Sequence, residues 1–383
     1  MGPDRDGAVR TPPEASAMTV GYHAPPPGSR TGVADYAETL RKALECHGTI
    51  ERDAARADVH LYHLGNNRLH EDIYARALRT PGLIVLHDAV LQHFMLGTLT
   101  HDEYMTEWVH NYGVWRRDLG EELRRDRSKA AVDSRYFDFP MLRRIVERSA
   151  GVIVHNPGAA AMARAHGAER IFMIPHFFEP DSSAVDAAET VRFRERAGIP
   201  ATAILFGVFG YLRETKRVPA CLAAFRRLHA LRPETALLIA GDAVSGDLER
   251  LLKTEAAHPA VYRLSHLSDE DLKIAAASVD CALNLRYPAA GETSGIAIRL
   301  MGIGKPVIGT DNPENAGFPQ TAMLRVRPGV AESAELFDHM ILVSGYPAIA
   351  REVGAGARDH IRKCHGLEQA ARSYWEALCA VTS

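Results

Sequence analysis

Four stretches of this sequence place reactive or anion-binding residues where a short apolar run gives way to a turn. In LIVLHDAVLQH, His87 and Asp88 end such a run. A histidine exchanges protons near neutral pH, and a charged pair at a strand end needs solvent or a ligand-lined cleft. The competing reading is a histidine satisfied by a loop carbonyl. His93 follows six residues after His87, a spacing that shares no helix face, so the two do not make a metal pair. In FGVFGYLRETKR, Gly207 and Gly210 thin a loop that carries Arg213 and Lys216. Two cations beside accessible amides suit a diphosphate, although a solvated basic loop has the same composition.

The other two stretches carry glycines. PPPGSRTGVADY offers Gly28 and Gly32 ahead of a helix N-terminus that could receive a phosphate, or simply forms a Pro-Gly turn. In LRYPAAGETSGIAIRLMGIGKPVIGTD, Pro288, Gly291 and Gly295 form a turn, and Ser294, Gly295 and Ile296 supply the first amides of a helix. Glu292 at that tip either meets sugar hydroxyls or stabilises the helix dipole. Neither dinucleotide nor P-loop glycine spacing follows any strand.

The elements that must hold these loops alternate in type. Apolar runs at 18–22, 58–64, 83–87, 151–155 and 171–175 are separated by helix-period segments, and Val33, Tyr36, Leu40 and Leu44 define the first helix. The alternation restarts with runs at 203–209, 236–241, 261–264, 280–285 and 306–310. It predicts an α/β chain of two doubly wound, Rossmann-like domains, 18–180 and 190–365, followed by a terminal helix over 366–383. Ligands of such sheets bind outside the carboxyl ends of the strands, where all four stretches lie. About fifty residues, 100–150, interrupt the rhythm. Tyr104, Trp108, Tyr112, Trp115 and Leu119 there recur every three or four residues, predicting a helical insertion that packs an aromatic face on the first domain or caps an acceptor pocket.

Composition narrows the class. The chain has 383 residues, 46% hydrophobic and 24% charged, with a net charge of -3, which leaves no basic excess for nucleic-acid binding. No apolar stretch is long enough to cross a bilayer. Five cysteines without CxxC spacing disfavour a disulfide framework or zinc ribbon and fit a reducing cytoplasm. Residues 1–17 lack an apolar core and read as a disordered leader rather than a secretory signal.

In order and separation, GSRTG, His87-Asp88, the Gly210 to Lys216 segment and GETSG followed by GKPVI resemble the retaining glycosyltransferases of the GT-B fold, family 4 in particular. The likeness runs from Met18 to the terminal helix. It implies a cleft between two Rossmann-like domains and a nucleotide-diphospho-sugar, UDP- or GDP-linked, as co-substrate, with no metal and no other cofactor. By this resemblance Gly32, Arg213, Lys216, Ser294, Gly295 and Ile296 would bind the diphosphate. Gly210, Asp88, Glu292, Thr293 and Arg299 would hold sugar and nucleotide, and His87, Glu292 and Lys216 would act in catalysis. His23 and Tyr36 would meet a small-molecule or glycan acceptor, and the terminal helix would cross back to the first domain. Two departures stand out. The family's second glutamate lies five residues before the glycine of G-x-P, and that place, counted back from Gly304, is Arg299. Its loop arginine is Tyr211 here, with Arg213 as the proposed stand-in. Two other readings stay open: a nucleotide-sugar epimerase, which shares the twin-domain cleft, and, on account of these departures, a degenerate nucleotide-sugar-binding protein.

Overall fold

The computed structural model describes residues 18–29, 31–179 and 185–382, so the expected leader lies outside the described residues. Two six-stranded sheets organise the chain, and every strand pair in both is parallel. The first comprises β1 (Thr19–His23), β2 (Thr49–Arg52), β3 (Val59–Leu64), β4 (Leu83–Leu86), β5 (Gly151–Val154) and β6 (Ile171–Met173), in spatial order β2-β1-β3-β4-β5-β6. The second comprises β7 (Ile204–Phe209), β8 (Thr235–Ala240), β9 (Val261–Leu264), β10 (Cys281–Asn284), β11 (Val307–Thr310) and β12 (Leu324–Val326), in order β12-β11-β10-β7-β8-β9. Helices cover both faces, which is why central strands such as VHLYHL and TALLIA are buried along their whole length.

Strand order reverses between β1 and β3 in one sheet and between β7 and β10 in the other. Such reversals open a crevice beyond the strand ends because consecutive helices leave to opposite faces. The loops after β7 and β10, bearing Arg213, Lys216 and Glu292, flank the second reversal. β2 and β12 escape an apolar-run reading because both are short edge strands: TIER is charged and half exposed, and LRV carries one buried residue.

The insertion between β4 and β5 contains helices Gln92–Thr98, His101–Tyr112, Arg117–Arg125 and Arg143–Arg148. Tyr104 and Trp108 are fully buried against the first domain's core, with Tyr112 and Leu119 packed at its margin. Trp115 departs from the expected stripe and is 96% exposed. Gly113, at φ 83°, ends the helix at Tyr112 and takes the next residues off its face.

The terminal helix, Leu367–Thr382, packs on the first domain through Ala370, Ala371, Tyr374, Ala377 and Leu378, which share a core with Val20, Tyr22 and Leu40. Tyr36 and Tyr374 join their hydroxyls there at 3.0 Å. Tyr374→Phe strands the buried Tyr36 hydroxyl, and urea denaturation is expected to show a loss of about 1–3 kcal/mol; an unchanged midpoint would show that the pair contributes nothing to stability.

Candidate active site

The second domain's floor of the crevice is set by two strand ends. After β7, Gly210 turns the chain at φ 82°, and a side chain at that position would begin 3.1 Å from the Lys216 ammonium. Glycine therefore both permits the turn and leaves room for Lys216, which folds back to donate to the Phe209 carbonyl. Burial, with Arg286 and Arg213 nearby, pushes the Lys216 pKa well below its ordinary value, while Glu292 opposes the shift. Arg213 is exposed and has no ion-pair partner among the described residues.

After β10 the chain runs Asn284, Leu285, Arg286 and then the glycine-containing turn. Arg286 Nη1 lies 3.1 Å from Glu292 Oε1, and its Nη2 donates to Ser294 Oγ at 3.2 Å. Glu292 also accepts the Ala290 amide at 2.7 Å. Ser294 caps the helix Gly295–Gly302 through the Ala297 amide and donates to Asn284 Oδ1 at 3.1 Å. The Gly295 and Ile296 amides, at the first two positions of the helix, have no intrahelical acceptors. That helix stops in a Schellman turn: Gly304, at φ 81°, and Lys305 send their amides back to Met301 and Leu300.

First-domain loops hold this turn in place. The Ala89 and Val90 amides both donate to the Ala290 carbonyl, at 2.8 and 3.0 Å. Asn156, which caps the helix Pro157–Ala165, donates to the Gly291 carbonyl at 2.9 Å and to Thr293 Oγ1 at 3.0 Å. Gly291 has φ 75°, and a side chain there would start 2.5 Å from the Ala89 methyl. The approach of the two domains at this edge thus requires glycine twice over, for conformation and for space.

Asp88 faces the cationic cluster from the first domain. Its carboxylate accepts the Asn66 amide at 2.8 Å, yet burial and Glu292 push its pKa up to about 6. His87 is 9% exposed, lies 2.9 Å through Nε2 from His63 Nδ1, and meets the Tyr36 ring edge-on. Burial, followed by the neighbouring imidazoles, holds its pKa well below 6.5. His176 reaches towards the helix N-terminus, its Nε2 3.3 Å from where a Gly295 side chain would begin.

The structure therefore brings His87, Asp88, Gly210, Arg213, Lys216, Glu292, Thr293, Ser294, Gly295 and Ile296 to one cleft edge. It places the others differently. Gly32 opens the first-domain helix Gly32–Leu44 beside open space. Arg299 lies one turn into its helix, and its charge acts on Asp35 of the first domain together with that of Asp269. Tyr36 is turned into the core, with its hydroxyl occupied by Tyr374 and its ring stacked on Phe177 at 4.2 Å. His23 is fully buried between His60, 3.0 Å away, and the ring of Tyr62. Both rings are buried: Tyr36 packs against His87, His155 and His176, and His23 among His60 and Tyr62. Arg286, Asn156, His63 and His176 join the site without having been singled out by motif. Arg286 obeys the rule that singles out Arg213, a cation just past a strand end.

Two doubly wound parallel domains facing across such a cleft constitute the GT-B fold. No protein-family model matches the sequence, and no curated protein matches it. Solved structures do match. Sucrose-phosphate synthase from Thermosynechococcus elongatus superposes with a TM-score of 0.66 at 15% identity, covering 95% of this chain and 99% of the other. HepE from Anabaena in complex with UDP gives 0.61 at 13% identity over 95% and 100%. WaaG, a glycosyltransferase involved in lipopolysaccharide biosynthesis, gives 0.60 at 16% identity over 94% and 98%. At these identities the likeness is one of fold.

Asp88 makes the site's electrostatics measurable. Its folded pKa, about 6, lies above its unfolded value. Stability therefore falls as pH rises from the unfolded pKa, about 3.9, through the folded one, because over that window the folded state alone retains the proton. Asp88→Asn removes the penalty and is expected to raise the Tm of the ligand-free protein at about pH 8 and leave it unchanged at about pH 3. Equal shifts at both pH values would contradict the assignment.

Proposed function

We propose that this chain is a glycosyltransferase that moves a sugar from a nucleotide-diphospho-sugar to a small-molecule or glycan acceptor, with retention at the anomeric carbon and without a metal. The observation that carries this reading is the convergence of Arg213, Lys216 and Arg286 with the Gly295 helix N-terminus beside Glu292 and Asp88. A diphosphate fits there because each cation strengthens its interaction as charge develops on the leaving group. The structures of HepE with UDP and with UDP-glucose support a uridine donor as the first to try.

Residues 190–365 would hold the donor and residues 18–180 the acceptor. Lys216, Arg213 and the Ser294, Gly295 and Ile296 amides take the diphosphate. Arg286 is drawn from Glu292 towards it, which frees Glu292 for sugar hydroxyls, while the Thr293 hydroxyl, which accepts from Asn156, keeps its own proton to donate to them. An arriving anion also favours the ammonium form of Lys216, which burial alone disfavours. The bond from the anomeric carbon to the diphosphate oxygen breaks, and the acceptor oxygen bonds to that carbon on the same face. The acceptor's proton passes to a donor phosphate oxygen, giving a glycoside and a nucleoside diphosphate. Two arginines, a lysine and a helix dipole supply the positive field that a bridging metal would otherwise provide. With Arg299 in place of the second glutamate, the ribose contact that the family makes there is not carried over to this chain.

Lys216→Ala is expected to lower turnover by about a thousandfold while the protein remains folded, since a charged contact to the leaving group counts most in the transition state. Unchanged turnover by the variant, measured as nucleotide release with a panel of nucleotide sugars and acceptors, would overturn the diphosphate assignment. Chelation by EDTA should leave the wild-type rate unchanged, and the product should carry the donor's anomeric configuration by NMR.

A further inference from the structure

The first domain's wall of the cleft is built largely of imidazoles. His63, His70, His87 and His155 are buried and His176 is half-buried. Three of them have a proton position dictated by a backbone carbonyl, which can only accept. His70 Nδ1 lies 3.0 Å from the His63 carbonyl, His155 Nδ1 2.9 Å from that of Ile174, and His176 Nδ1 2.9 Å from that of Phe177. Each neutral ring therefore carries its hydrogen on Nδ1. For His70 and His155 the Nε2 lone pair is left buried without a partner.

The remaining pair has no carbonyl to decide it. His63 Nδ1 and His87 Nε2 are 2.9 Å apart, so one hydrogen lies between them. His63 Nε2 is sealed from solvent with no partner. If the shared hydrogen belonged to His87, neutral His63 would carry its own on Nε2, as a buried N–H without an acceptor. An orphaned buried N–H is the rarer arrangement, whereas a bare lone pair repeats what His70 and His155 already show. If the shared hydrogen belongs to His63, neutral His87 must bear its own on Nδ1. Among the described residues that nitrogen has no protein partner, and it is not sealed from solvent.

We infer that His63 is a positioning residue that holds His87 in the Nδ1–H form, so that His87 offers the bound substrate a hydrogen-bond donor rather than a base. The class of atom it meets, a sugar hydroxyl or ether oxygen, rests on the glycosyltransfer reading; the tautomer does not. The groups that act most strongly on His87 favour the neutral ring that this requires. Burial and the imidazoles of His63, His155, His70 and His176 all disfavour its cation, and the neutral Tyr36 ring packs edge-on against it. His87 then stands beside the reacting carbon without competing for the acceptor's proton.

The direct test is long-range 1H–15N correlation on the wild-type protein labelled at histidine, with resonances assigned through His63→Leu and His87→Gln. His87 is expected to show a protonated Nδ1 and a bare Nε2, unchanged across the neutral pH range. A protonated Nε2, or titration to an imidazolium in that range, would overturn the inference. This readout needs no substrate, so it separates the tautomer from the proposed reaction. For the positioning role, His63→Asn keeps an N–H for His87 Nε2 and should retain most of kcat. His63→Leu, which frees the tautomer, should lose about tenfold in kcat with donor Kd unchanged. Equal kcat for the two variants would contradict that role.

Discussion

Three cations meet at the crevice where the second sheet reverses its strand order, and that concentration of positive charge governs the site around it. Lys216 is buried against a carbonyl with two guanidiniums close by, an arrangement that disfavours its own charge. Glu292 answers Arg286 directly, and Asp88 faces the cluster from the other domain at a raised pKa. The positive charge of the site is thus only partly paired internally, through Arg286 and Glu292, and an incoming anion would rearrange that pair. A diphosphate would supply the charge that the protein only partly compensates, and its departure as a leaving group would meet a field already in place.

The same loops that carry the charges also tie the domains together. Ala290 accepts two first-domain amides, and Asn156 grips the chain on both sides of Glu292. The turn that carries Glu292 is therefore bonded directly to the backbone at Ala89 and Val90, next to His87 and Asp88. The terminal helix closes the other connection. Its Tyr374 holds Tyr36, whose ring in turn packs against His87, so a residue at the far end of the chain supports the wall of the cleft.

Much of this was legible in the sequence, for physical reasons. Parallel strands buried on both faces must be apolar runs, so their ends could be located and the chemistry read from the turns beyond those ends. His87, Asp88, Arg213, Lys216 and Glu292 emerge that way, and the order of their loops carries the resemblance to GT-B enzymes. The residues that escaped depend on direction or on distant pairing. Arg286 is visible as a strand-end cation, but only the folded turn brings its guanidinium to Glu292. Tyr36 lies at the core-facing spacing of its helix with Leu40 and Leu44, and that periodicity describes its environment better than its position after a glycine-rich loop. The imidazole wall is written as histidines ending successive runs, HLYHL, LIVLH, GVIVH and MIPH. Their mutual contacts depend on the parallel register that sets His63 beside Val85. Edge strands β2 and β12, having little to bury, left no apolar signature.

A diphosphate is the ligand we propose for the cationic crevice. Calorimetric titration of the wild-type protein with a nucleoside, its monophosphate and its diphosphate tests it most directly. Affinity is expected to rise at each added phosphate and to rise most at the second, where Lys216, Arg213 and Arg286 converge. Equal affinity for the nucleoside and the diphosphate would contradict it.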